Sequence, residues 1–120
     1  MTKSGYAFQI FLPSNAVPAG FVHETGPLAS ASFGTPIQVD IAETTWCAYA
    51  IPVARGNSGN RAFFVNQAGD VMQSPNDVAP HQGTATALAG NSAFKGTAGI
   101  TSSIATGTSG NDTNIWKVTN

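Results

Sequence analysis

Thr45–Ser74, TTWCAYAIPVARGNSGNRAFFVNQAGDVMQS, is the stretch whose reading decides the fold. From Thr45 to Val53 the side chains alternate. Cys47, Tyr49, Ile51 and Val53 fall on one face of an extended chain and Trp46, Ala48 and Ala50 on the other, the period of two that a pleated strand imposes. Apolar residues on both faces imply that each is at least partly covered. The run Arg55 to Asn60 then demands a turn, because Gly56 and Gly59 take positive φ freely and Asn57 and Asn60 tolerate it. A second strand is predicted over Arg61 to Gln67. Gln67, Ala68, Gly69 and Asp70 make a tight reversal, and Val71 to Gln73 return as a third, shorter strand. The stretch is an antiparallel meander and contains no catalytic motif.

Upstream, Tyr6, Phe8, Ile10 and Leu12 alternate with Ala7, Gln9 and Phe11, a strand stopped by Pro13. Ser14 to Thr35, with Pro18, Gly20, Gly26, Pro27 and Gly34, reads as a long irregular connection holding one short extended piece at Phe21 to His23. Connections of that length inside a small domain are often the functional part, so this loop is expected to make contacts with partners. Pro36 to Ala42 alternates Ile37, Val39 and Ile41 with Gln38 and Asp40, the pattern of a half-buried strand. Downstream, Pro75 and Pro80 interrupt regular structure. Thr84 to Lys95 has the one helix-compatible spacing, weakened by Gly90 and Asn91, and Gly96 to Asn111 is a loop-like run of small residues. Asn114 to Thr119 is predicted as a terminal strand that docks Trp116 onto the sheet. The fold class is therefore mainly β, α+β at most: a single antiparallel sheet with long loops and one short helix.

A chain of 120 residues is one β-rich domain, 1–120, large enough for a single core. Charged residues make up 9% of it against roughly 25% in typical soluble domains, so Ser, Thr, Asn, Gln and Gly must form most of the surface. Such neutral, hydroxyl- and amide-rich surfaces are common in secreted and envelope proteins, and an extracytoplasmic location is expected. With 5 Lys and Arg scattered along the chain and a net charge of −1, there is no basic patch for nucleic acid. No apolar run approaches the length of a membrane span.

Cys47 is the sole cysteine, which excludes an internal disulfide and a thiolate metal cluster. Inside an apolar strand, with no His or Lys nearby in sequence, it reads as a buried structural thiol. The chain holds no Gly-x-Ser-x-Gly elbow, His-Glu-x-x-His pair, phosphate loop or dinucleotide fingerprint. A small hydrolase would have to draw on His23 or His81. Glu24 follows His23 and would face the opposite way on a strand, and Asp77 stands four residues before His81 at a helical spacing in a non-helical segment. Both histidines are expected as solvated loop residues. Paired carboxylates of glycosidase type would need Asp40, Glu43, Asp70 and Asp112 to converge, which nothing in the sequence requires. Trp46, Tyr49, Phe63, Phe64 and Trp116 all lie on strands; outward-facing members would form a platform for a carbohydrate or peptide, and the plainer expectation is that they pack the core.

Four segments carry a family resemblance: Lys3-Ser4-Gly5-Tyr6 with its aromatic strand, Trp46 to Pro52, the Gly59 to Val71 hairpin, and Asn111 to Val118. Together they resemble the globular part of bacterial type IV pilin-like proteins and type II secretion pseudopilins, and cover less than half of the chain. Members of that group begin with a cleavable leader and a long apolar helix, neither of which occurs in the 120 residues. The resemblance therefore implies either a soluble ectodomain of a longer precursor or a relative that lost the helix. It further implies a non-catalytic structural subunit or displayed ectodomain of an envelope filament, with like subunits or other filament proteins as partners. A secreted carbohydrate- or peptide-binding module is the alternative. Some pseudopilins hold calcium in the C-terminal loop before an aromatic residue placed like Trp116. Asp112 and Asn111, with Thr108, Ser109 and Thr113 around them, are the corresponding oxygen donors here, and calcium is the one cofactor implied. The plain reading of the same residues is a polar turn capping its own backbone. Asn111-Asp112-Thr113 also matches a glycosylation sequon, a pattern frequent by chance.

Overall fold

A computed structural model of the chain describes residues 2–3, 5–14, 20–25, 32–33, 37, 39–57, 59–78, 80–82, 89–96 and 99–119. Its strands are β1 (Thr2–Lys3), β2 (Tyr6–Pro13), β3 (Phe21–Thr25), β4 (Ser32–Phe33), β5 (Cys47–Pro52), β6 (Ala62–Asn66), β7 (Met72–Ser74), β8 (Thr108–Ser109) and β9 (Ile115–Val118). They form one antiparallel sheet in the order β4-β3-β2-β5-β6-β7-β9-β8, with β1 added beside β2. The predicted meander is its middle, β5-β6-β7. Turn chemistry sets its register: Gly69 takes φ +86 in the reversal that pairs Phe64 with Met72, and its N–H closes the turn on the Asn66 carbonyl at 2.9 Å. A long pairing and a short one flank the meander. β2 runs beside β5 from Tyr6↔Pro52 to Phe11↔Cys47, and β9 pairs with β7 through Met72↔Val118 and Gln73↔Lys117.

The strand predicted over Pro36 to Ala42 is corrected. Val39–Ala42 is a short helix, α1, and Ile37 makes an isolated bridge to Ser14. The reason is topological: this segment must carry the chain from β4 back past β3 and β2 to β5, and both sides of β2 are already paired. A crossing connection cannot be a strand of the sheet it crosses. Coiling also turns Ile41 onto the core while Asp40 stays exposed.

The helix predicted over Thr84 to Lys95 is corrected in its second half, residues 84–88 lying outside the described ones. From Ala89 to Phe94 the chain makes successive turns, with Ser92 N–H on the Ala89 carbonyl (3.1 Å) and Phe94 N–H on the Asn91 carbonyl (2.9 Å). Gly90 lies flat against the Phe21 ring, where a Cβ would come within 2.6 Å of it. The backbone after it pairs sideways, Lys95 N–H to Ser103 O at 3.0 Å and Ala105 N–H to Ala93 O at 2.8 Å, so its groups are unavailable to a helix.

Residues 99–111, expected as loop, are packed. They contain a 3₁₀ turn (Gly99–Thr101) and β8, and Ile100, Ala105 and Gly110 are buried. With Ala93 and Phe94 they cover one face of the sheet. That face presents Ala7, Phe11, Cys47, Tyr49, Ile51, Ala62, Phe64, Met72 and Trp116, all buried. Tyr49 is the centre: its ring meets Phe11, Phe64 and Trp116 with centroids 5.8, 4.9 and 6.0 Å away. Its hydroxyl donates to the Gly90 carbonyl at 2.6 Å and accepts the Ala93 N–H at 3.0 Å, which ties the covering layer to the sheet. Trp116 is 0% exposed, docked as the sequence predicts.

Candidate functional site

Among the residues weighed for chemistry, the structure draws together a set that sequence spacing did not. The His81 Nε2 lies 2.9 Å from the Asp112 Oδ2, with the two side chains 17% and 6% exposed. Asp112 sits in the turn before β9 and its carboxylate is ringed by donors. Oδ1 accepts the Asn114 N–H (3.0 Å) and the Trp116 Nε1–H (3.1 Å), and Oδ2 accepts the Asn114 Nδ2–H (3.1 Å) as well as meeting His81. Burial by itself pushes the Asp112 carboxyl up, but the hydrogen bonds from His81, Asn114 and Trp116 outweigh it and hold the group below the ordinary aspartate value.

The neighbours complete a closed polar network. Asn114 Oδ1 accepts the Val78 N–H at 3.0 Å. Asn76, 0% exposed at φ +57, accepts the His81 N–H through Oδ1 (2.7 Å) and donates through Nδ2 to the carbonyls of Asn60 (3.0 Å) and His81 (2.8 Å). The network staples Asn76, Val78 and His81 to the segment leading into β9 and to the turn before β6. His81 is thus a partly buried, paired residue rather than the solvated one expected, and its partner is Asp112 in place of Asp77, which is exposed. Oriented by a carboxylate, an imidazole can serve as a base, yet no hydroxyl or thiol among the described residues is hydrogen-bonded to it. The geometry is that of a structural clasp.

Asn111, the other residue weighed for calcium, turns its Nδ2 to the carbonyls of Asn91 (3.3 Å) and Gly96 (3.1 Å). The Asp112 oxygens face N–H donors, which repel a cation, and no group of three or more His, Cys, Asp or Glu gathers among the described residues. The self-capping turn expected of Asn111-Asp112 is present in the Asp112 Oδ1 to Asn114 N–H bond; what the sequence did not signal is its reach to His81 and Trp116. Asp40 and Glu43 lie in and just after α1 and Asp70 in the β6–β7 reversal, apart in sequence and structure from the clasp. The side chains of His23 and Glu24 lie outside the described residues. Burial pushes the Cys47 thiol up to about 12, the inert structural thiol predicted.

The second feature is the other face of the sheet. Strand alternation places Tyr6, Phe8, Ile10 and Leu12 opposite the core, so the more apolar side of β2 is the uncovered one: Ile10 is 36% exposed and the other three are half-buried. Registers Phe8↔Ala50↔Phe63 and Ile10↔Ala48↔Val65 line up two rows across β2, β5 and β6. The small side chains of Ala48 and Ala50 leave a trough between the β2 and β6 ridges, a depression of about 180 Å³ bounded by Phe8, Phe63, Val65 and Val71. Of the five aromatics weighed as a platform, Tyr49, Phe64 and Trp116 pack the core, whereas Trp46 and Phe63 are half-exposed. Val53, predicted on the Cys47 face, leaves the strand after Pro52 and is 38% exposed.

No helix among the described residues is long and apolar enough to cross a membrane. Neither a family model, nor a curated protein, nor a solved structure matches the chain.

Proposed function

We propose that this domain is a non-catalytic assembly unit, a structural subunit or displayed ectodomain of a bacterial envelope filament of the pilin-like kind, which meets its neighbour through the open face of the sheet. One observation carries the reading: an apolar trough over Ala48 and Ala50, bounded by Phe8, Phe63, Val65 and Val71, that the domain's own covering layer leaves partly exposed. A sheet face of this composition is stable in water only at a cost that a partner removes. The clasp around Asp112 supports the same reading, since its hydrogen bonds are consumed in holding the fold. Carbohydrate recognition fits less well, because a sugar needs hydrogen-bonding groups beside an aromatic ring and the trough is lined by apolar side chains.

The test is a photo-crosslinking residue at Ala50 in the protein expressed in its source cells. Covalent capture of an envelope filament protein or of a second copy is the expected outcome. Absence of any adduct at Ala50, with adducts formed from a site on α1, would overturn the reading.

A further inference from the structure

The open face is not uniform, and its charge pattern says what kind of neighbour fits it; the inference rests on the assembly reading above. The row Phe8, Ala50, Phe63 continues through Phe63↔Gln73 and Gln73↔Lys117, so Lys117 projects from the same face two strands beyond Phe63. Arg61 precedes Phe63 by two residues and shares its side of the sheet. Its guanidinium Nη1 donates to the Gln73 Oε1 at 2.7 Å, which steers it toward Lys117 along the edge of the trough. Arg61 and Lys117 are both exposed. None of the described positions that these registers place on the open face of β2, β5, β6, β7 and β9 is Asp or Glu. A domain with net charge −1 thus gathers two of its 5 cations, unopposed, along one flank of its apolar trough.

We infer that the open face docks a partner polypeptide carrying an apolar stripe bordered on one side by carboxylates, the stripe seated over Ala48 and Ala50 and the carboxylates against Arg61 and Lys117. A second copy of this chain is the poorer occupant. At about 3.3 Å per residue and 4.8 Å between strands, the apolar part of the face covers on the order of 300–400 Å², below the roughly 800 Å² per partner of a stable interface. A neighbour reaching past the trough to the cationic flank extends the contact and gains register from charge pairing.

Two synthetic peptides test the inference against the full, ¹⁵N-labelled chain. They share one stripe of Leu and Val; one carries Glu along a flank and the other Lys. The expected result is amide shift changes at Ala48, Ala50, Phe63 and Val65, with the Glu peptide binding roughly fivefold or more tightly than the Lys peptide at low salt. The preference should shrink in 0.5 M NaCl and invert in R61E/K117E, whose exposed sites leave the spectrum of the free domain dispersed. Equal binding, or a preference for the Lys peptide, with the face still responding, overturns the acidic partner and leaves the docking face standing. No response of the face to either peptide overturns both. Shifts at Ala48 and Ala50 that grow with protein concentration alone overturn the inference in favour of a second copy.

Discussion

His81 and Asp112, 31 residues apart in the chain, meet at 2.9 Å between Nε2 and Oδ2, and the same carboxylate takes the indole N–H of Trp116 at 3.1 Å. One side chain therefore fixes a surface loop and the largest residue of the core at once. Asp112→Ala should lower stability by about 2–4 kcal/mol, because it strands the Asn114 and Trp116 donors in a site that water enters poorly. His81→Ala should cost less, about 1 kcal/mol, since that partner is nearer to solvent. Urea unfolding of the two variants checks the order, and a larger loss for His81→Ala would contradict it.

The same carboxylate gives the pH dependence its sign. Asp112 is depressed in the folded state, so its contribution is fully present above the unfolded aspartate value of about 3.9 and is lost as pH falls through the lower folded value. Stability should drop below about pH 4, and Asp112→Asn should flatten that part of the curve. Thermal melts between pH 2 and 6 measure both.

Tyr49 bridges layers through a single oxygen, donating to Gly90 O and accepting from Ala93 N–H. Tyr49→Phe keeps the ring and removes both bonds, at an expected cost of about 1–3 kcal/mol. Hydrogen exchange at the Ala93 amide should accelerate more than at Phe64, whose sheet bonds are untouched.

The two tryptophans should report on different surroundings. Trp116 is 0% exposed and Trp46 half-exposed, so Trp46→Phe should leave a blue, poorly quenched emission and Trp116→Phe a redder one that acrylamide quenches. Similar spectra from the two variants would place Trp46 in the core.

Cys47 should be silent toward an aromatic disulfide reagent at pH 8, because burial lifts its thiol to about 12 and bars access. Labelling should proceed at the rate of unfolding and rise steeply with denaturant.

The outcomes for β5 and for Pro36 to Ala42 show what alternation can reveal. In both, apolar residues recur every second position. β5 became a strand because turns on its C-terminal side fold β6 against it, whereas Val39–Ala42 coiled because the chain had to cross the sheet at that point. Local pattern is the same, and the connection decides. The clasp was invisible for a related reason: Asp77 lies nearer to His81 in sequence, but the turns around Asn76 and Asn114 present Asp112 to the imidazole.

By itself the sequence determined the antiparallel meander, its reversals at Arg55 to Asn60 and Gln67 to Asp70, the strands β2 and β9, and the burial of Cys47 and Trp116, all of which follow from period-two alternation and glycine or asparagine turns within a few residues. Only the tertiary structure decided which side of β2 is core. Alternation fixes the parity of side chains but not which parity is covered; that depended on where residues 89–96 and 99–112, whose local pattern points to neither face of the sheet, came to rest. By covering the Tyr49 side and fastening there through Gly90, Ala93 and Asp112, they left Phe8, Ala48, Ala50 and Phe63 as the face that remains open.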